Sequence, residues 1–536
     1  MSKWIIILSL STLSISVWGR TFYIDPKNGS IQGDGSQSMP WRTLEEVISH
    51  NLIGSSQYST PYDPSNPNLQ VKNSGAPIQG GDTLLLFSGL HGTVFLQNYI
   101  NKTYITIMGA TGQEVIIEQV HFQACKNWRL ENVTVSSEPY NHYLSSNLIF
   151  LESHGWQGPT SKIQISNCQI YSTKSPWTLA QDWIEKASRG IQIRGDSIEI
   201  SYNRIYNISF GISMQGDYIR SIGNMISNFS GDGLRILGSH CLVDGNTIKN
   251  CYDVDENHDD GIQSFTTNGN VVDDNIVRNN TILNYEDPNQ PLLGPLQGIG
   301  CFDGFYNNWI VENNLIVVNH WHGITFLGAN NCLINNNTVL DPTPDITPGA
   351  SWIRIDNHKD GRPSTGCQVV NNVANNLIVD ADTSHNQILL TYEDYQDNFV
   401  NYQQNDFHLI ESSILIDQGD GSIGSSSDHD GVARPQGDQI DIGAFEFQKL
   451  SSPINNIAND QIQIYPNPVQ EEMYYTLPFK ETHISMINSQ GQVVGIFKHL
   501  EQHGQLDLHN FPTGVYMVHV IQEEKGFYTV KKIIKY

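Results

Sequence analysis

The chain has 536 residues, with 55 acidic and 29 basic side chains and a net charge of −26, a length that suits one large domain and a smaller one. That balance supplies no stripe of cations to neutralise phosphates, which excludes nucleic acid, but an acidic sugar polymer remains open if the few basic residues gather where it lies. The seven cysteines are scattered, odd in number and without CxxC or CxxH spacing, which argues against a disulfide framework or structural zinc and for small core residues. In chain order, Lys3, the apolar run "WIIILSLSTLSISV" and small residues before "GRTFYID" read as a secretory signal peptide over 1–19. No later apolar run is long enough for a membrane span, and a soluble monomer is expected.

Thr43 and Glu46 in "WRTLEEVI" have the spacing of a capping box at a helix start. A repeat then dominates: "GIQIRG" (190), "GISMQG" (211), "GLRILG" (233), "GIQSFT" (261), "GIGCFD" (298), "GITFLG" (323) and "WIRIDN" (352). Most are followed by Asn-x-Ile or Asn-x-Val, at Asn203, Asn224, Asn246, Asn280, Asn314 and Asn337. Units this short cannot bury an apolar face alone, whereas stacked copies can. With strand alternation, no helical period and an asparagine at each turn, the expected fold is all-β: a right-handed parallel β-helix over 20–447.

The ends of this region carry a resemblance. "TFYIDPKNGSIQGDGSQSMPWRTLEEVI" resembles the entry of exported, pectin-lyase-like β-helix proteins, and "NDFHL", "ILIDQGD" and "DGVARPQGDQIDIGAFEF" resemble their closing segment. That family includes lyases, hydrolases, epimerases and binding proteins, so the resemblance speaks for fold more than for reaction. After a polar linker (448–461), "IQIYPNPVQEE", "INSQGQVVG" and "LDLHNFPTGVYMVHV" in 462–536 are similar to the C-terminal sorting domain of the Bacteroidetes type IX secretion system. This implies a small β-sandwich, the type IX machinery as a partner, and a destination outside the cell or on its surface.

In each opening strand the aliphatic residue after glycine should point inward, leaving Gln192, Ser213, Arg235, Gln263, Gly300, Thr325 and Arg354 as an outward column. Rim residues precede each glycine, among them Asp232, Asp260, Gln297 and His322. Three insertions, "CYDVDENHD" (251–259), "NYEDPNQPLLGPLQ" (284–297) and "DPTPDITPGAS" (341–351), fall before such strands and should wall one face. The groove they define would hold an acidic polysaccharide or oligosaccharide. His322, His258, Arg354 and Asp260 are its candidate catalytic residues, and Arg235, Gln263, His320, His358 and Lys359 its candidate substrate-binding residues.

That set suits β-elimination across C4–C5 of a uronate, where a cation or amide neutralises the carboxylate and a histidine moves the proton. A sugar leaving group makes the enzyme a polysaccharide lyase; a hydroxyl at a chain end makes it a dehydratase. Tyr252, Tyr285 and Tyr306 are alternative acids. "SGDG", "HDDGI", "HWHGI" and "WIRID" are also similar in order to the motifs of polygalacturonases, which would make Asp232, Asp259 and Asp260 the acid–base set of a hydrolase. An extra coil, "QGIGCF", and Asp356 in place of a lysine depart from that pattern. A non-catalytic glycan-binding β-helix is the third reading. The one cofactor expected is Ca²⁺, at Asp255 and Asp259 with Asp253 or Glu256 nearby.

Overall fold

A computed structural model describes residues 19–448, apart from 267, 268, 345 and 347, and residues 462–535, apart from 478, 481, 489–492, 510 and 523–526. The expected signal peptide and linker lie outside the described residues, save Gly19 and Gln448. The chain divides into two units, Met1–Phe447 and Gln448–Tyr536.

The first unit is a parallel β-helix. Most coils are built of three short strands, such as Leu234–Ile236, Leu242–Asp244 and Thr247–Cys251, and successive coils pair in register to form three long ladders, with a short fourth of Val271–Asp273, Phe305–Asn307 and Ala329–Asn330. Ile191, Ile212, Leu234, Ile262, Ile299, Ile324 and Ile353 point inward and are at most 2% exposed. Burial of each is worth about 1.5–3 kcal/mol. The preceding glycines are needed because the coils approach so closely: a Cβ on Gly211 would lie 2.1 Å from the Gly233 carbonyl oxygen.

The repeated asparagines form a buried ladder. The side-chain amide of Asn203 donates to Asn224 Oδ1 at 2.9 Å, and the same bond recurs at 2.9–3.0 Å from Asn224 to Asn246, Asn280, Asn314 and Asn337. It continues beyond the expected set to Asn372 and Asn386. Each ladder residue up to Asn372 follows one in the left-handed region, from Tyr202 (φ 55°) to Asn371 (φ 60°). This explains why Asn or Gly so often precedes the ladder residue.

The first ladder supplies the strands of interest: β1 (Leu234–Ile236), β2 (Asp259–Phe265), β3 (Leu296–Asp303), β4 (His322–Leu327) and β5 (Trp352–Asp356). All seven cysteines are buried and unpaired. The helix foreseen at Thr43 spans Leu44–Ser49 with half of its box: Thr43 Oγ1 accepts from the Glu46 amide at 3.2 Å, while the Glu46 carboxylate turns to Arg42. Helices Ala180–Lys186 and Tyr392–Asn398 were not foreseen, being too short to show a 3.6-residue period.

The closing segment does more than end the solenoid. Phe399, Phe407, Leu409, Leu415, Ile442 and Phe445 lie against Leu283, Leu315, Val317 and Leu340, covering the outer face of the third ladder. The second unit pairs a three-stranded antiparallel sheet with a four-stranded one around Met473, Ile484, Met486, Leu508, Val518 and Val520. No helix among the described residues is long and apolar enough to cross a membrane.

Candidate active site

The outward column forms as its spacing requires. Gln192 pairs with Ser213, then Arg235, Gln263, Gly300, Thr325 and Arg354 follow one coil at a time. The wall beside it contains a fourth loop that sequence did not mark. Trp177, Trp183 and Ala187 pack with Tyr252, Val254 and Leu292, joining residues 174–188 to two of the expected loops in one small core.

Three carboxyl groups sit at the rim, and the fold treats each differently. Asp232 is 2% exposed; its Oδ2 accepts from Arg235 Nε and its Oδ1 from the Asp260 amide at 3.1 Å. Burial raises its proton affinity against the pull of Arg235. Asp259 and Asp260 are neighbours on a strand and face opposite ways. Asp259 turns to Cys251 Sγ at 3.3 Å and Asn257 Nδ2 at 3.2 Å, and burial lifts its carboxyl to about 7. Asp260 is fully buried and lifted by burial to about 6. Its Oδ2 meets His258 Nδ1 at 3.2 Å and Gln263 Nε2 at 2.9 Å, while Oδ1 has no partner among the described residues.

The histidines are tuned in opposite directions. His258, its ring largely exposed, is raised above the ordinary imidazole value chiefly by its hydrogen bond to Asp260. His322 sits edge-on to Phe302 (4.8 Å) and Trp352 (5.1 Å), and burial, then His320 and Arg354, lowers it to about 3. Its Nδ1 is 3.0 Å from Thr325 Oγ1, which also accepts from Trp352 Nε1 at 3.0 Å. His320 stacks on His322 at 5.1 Å, and burial lowers it to about 4. Its Nδ1 accepts the His322 amide at 3.0 Å, so in the neutral ring the proton is on Nε2. Arg354 donates to Asp356 at 2.6 Å and lies over the Trp352 ring, with a buried Nε that has no acceptor among the described residues.

The other expected residues divide between the strip and its margins. Arg235 lies against Phe210, with ring contact at 4.1 Å, and Lys359 pairs with Asp303 at 2.7 Å beside Phe302. His358 turns away to Phe305 and Asp360, held by the loop it was expected to leave for substrate. Tyr306 is wholly buried with its hydroxyl on the Ser264 carbonyl, and Tyr252 belongs to the wall core, so neither reaches the groove. The calcium site is not assembled. Asp255 Oδ1 accepts the Asn257 amide at 2.8 Å, Asp259 faces the opposite partners named above, and among the described residues no three His, Cys, Asp or Glu side chains are placed to hold a metal.

Phe302, Trp352 and Trp321, which stacks on Trp352 at 6.1 Å, escaped sequence reasoning because an outward or rim position tolerates any residue. Gly300 has a sharper role. A Cβ there would lie 2.3 Å from Asp260 Oδ1 and 2.5 Å from the Phe302 ring. Gly300→Ala is therefore expected to cost about 1–3 kcal/mol through overpacking, and to lower activity by displacing the Asp260 carboxyl. Thermal unfolding and turnover measured together would test this; both unchanged would show that the carboxyl has room to spare.

Residues 149–388 match the family model of the right handed beta helix region, and residues 463–536 that of the secretion system C-terminal sorting domain. The solenoid is thus a right-handed β-helix, and the sorting domain marks the chain for type IX secretion to the cell surface or the medium. No curated protein matches the chain. Among solved structures it is similar to the pectate lyase Pel9A, with 15% identity over 80% of this chain and 97% of that one, at a TM-score of 0.37. It is also similar to the GH136 lacto-N-biosidase of Eubacterium ramulus (13% identity, 69% and 68% covered, TM-score 0.41). A third is the A-module of the Azotobacter vinelandii mannuronan C-5 epimerase AlgE6 (12%, 58% and 91%, 0.37).

Proposed function

We propose that this exported β-helix protein is a carbon–oxygen lyase that eliminates across C4–C5 of a uronate in an acidic polysaccharide or its oligosaccharides. The reading is carried by two histidines on one face with opposed surroundings: His322 packed among aromatic rings, where burial lowers its proton affinity, and His258 hydrogen-bonded to buried Asp260, which raises it. Environments that push two titratable groups apart are how one site supplies both a base and an acid.

The reaction requires the His322 tautomer whose Nδ1–H donates to Thr325 Oγ1, which also accepts from Trp352 Nε1–H, so that Nε2 carries the free lone pair. Nε2 takes the C5 proton, the electron pair becomes the C4–C5 double bond, and the C4 oxygen leaves with a proton from His258. Arg354 holds the uronate carboxylate as charge develops on it, while Gln263, three coils or about 14 Å away, meets a neighbouring sugar. Asp260 is buried and acts through His258 rather than on the sugar. An anionic substrate also offsets the cations that depress His322, so binding itself strengthens the base.

The hydrolytic alternative has less support. Asp232 has both oxygens engaged within the protein and Asp259 faces the Cys251 side, so the acids present no open pair across a glycosidic bond.

The test is incubation with polymeric and pre-cut uronate glycans, following ultraviolet absorbance of the unsaturated product and new reducing ends together. Absorbance with reducing ends indicates a lyase, and absorbance alone a dehydratase. Reducing ends alone, or neither signal, overturns elimination.

A further inference from the structure

The outward column does not begin at Gln192. Phe95, His121 and Phe150 occupy the same register position in the three coils before it, Phe150 pairing with Gln192. Their rings form a continuous stack: Phe95 to His121 at 5.0 Å, and His121 to Phe150 at 4.9 Å and 17° between planes. Phe95 is 44% exposed, an uncommon position for a phenylalanine with no protein cover. Two residues along each strand, and so on the same face, Gln97, Gln123, Glu152 and Arg194 form a parallel polar column. Glu152 Oε2 receives both His121 and Gln123 at 2.8 Å, while no hydrogen bond among the described residues reaches its Oε1. The Arg194 guanidinium lies 5.6 Å from the Phe150 ring centre and has no carboxylate partner among the described residues.

We propose that this strip is a distal subsite for the same acidic glycan, making the protein an enzyme of long chains. The inference rests on the acidic-glycan reading of the site. A pyranose presents an apolar C–H face to an aromatic ring and hydroxyls at its rim; the ring stack meets the first, and Glu152 with the glutamines the second. Arg194 supplies the cation for a uronate carboxylate in a protein whose net charge otherwise repels one. Six coils separate Phe150 from Thr325, about 29 Å at the usual strand spacing. Only Gln192, Ser213, Arg235, Gln263 and Gly300 lie between them, a polar trough along which an extended chain can run.

The experiment compares Phe95→Ala/Phe150→Ala and Arg194→Ala, in the full exported chain, with the parent. The probes are alginate, polygalacturonate and a uronate trisaccharide too short to bridge both regions. The expected result is a rise in KM for polymer of about tenfold or more, with trisaccharide kcat and KM unchanged and Phe150→Tyr close to the parent. Equal effects on polymer and trisaccharide, or none on either, overturn the subsite. Retardation of the His322→Ala protein in native gels cast with each polymer gives a readout free of turnover. If the strip variants abolish retardation while no uronate is ever eliminated, the elimination reading fails and the subsite stands. If elimination occurs and retardation is unmoved by the variants, the subsite alone fails.

Discussion

His322→Ala is expected to lower turnover of a uronate glycan by about 10²–10⁴-fold with the fold intact, the usual contribution of a positioned proton-transfer group. The ring is half-buried and touches Phe302, His320 and Trp352 on an outer face, so its loss leaves the inward stack of isoleucines undisturbed. Circular dichroism and thermal unfolding should therefore change little while kcat collapses. The pH profile of kcat/KM separates the two histidines. His322 is neutral above about pH 3, so the base is available throughout the mildly acid range. His258 must be protonated, and its partner Asp260 raises its affinity, so activity falls on the alkaline side beyond the ordinary imidazole range. Asp260→Asn removes that pairing and should shift the alkaline limb to lower pH, whereas His258→Gln should abolish the limb and most of the rate. An alkaline limb that stays in place in Asp260→Asn would take the pair out of the reaction.

Much of this arrangement is legible in sequence because the β-helix repeats its demands. Glycine where coils touch, an aliphatic residue inward after it and asparagine just after the left-handed turn recur in most units, so register, core and the outward column follow from spacing. What repetition does not constrain is harder to read. Phe302, Trp352 and the Phe95–Phe150 stack stand at positions that any side chain would satisfy, and only stacking shows that they are neighbours. Asp259 and Asp260 read as a pair because they adjoin in sequence; strand alternation sends them apart. The helix Ala180–Lys186 is two turns long and announces itself by no period, yet its Trp183 anchors the wall.

The largest stability effect lies far along the chain from that strip, in the closing segment. Arg434→Met is expected to cost about 3–5 kcal/mol, the penalty for breaking a buried ion pair from one side. Arg434 and Glu446 have no exposed side-chain surface and meet at 2.6 Å. Arg434 also donates to the carbonyls of Asp441 (3.0 Å) and Gly443 (2.8 Å), and Glu446 accepts the amides of Asp441 (2.7 Å) and Gln436 (3.0 Å). Removing the guanidinium thus leaves a carboxylate and two carbonyls desolvated together. The segment it organises is tied to the coils by His429, whose Nδ1 is 2.9 Å from the Asn313 carbonyl and whose Nε2 is 3.1 Å from Thr281 Oγ1, and by Asn313 Nδ2 on Ser427. Loosening it uncovers Leu283, Leu315, Val317 and Leu340, and limited proteolysis should cut between 420 and 432 long before the coils open. Arg434→Met/Glu446→Leu discriminates between charge and packing: with both ions gone the uncompensated carboxylate disappears, but the carbonyls of Asp441 and Gly443 and the amides of Asp441 and Gln436 lose these partners, so stability should recover only part of the loss. Chemical denaturation of the two variants and the parent measures this. A double variant no more stable than Arg434→Met would mean that shape, and not the uncompensated carboxylate, holds the closing segment against the third ladder.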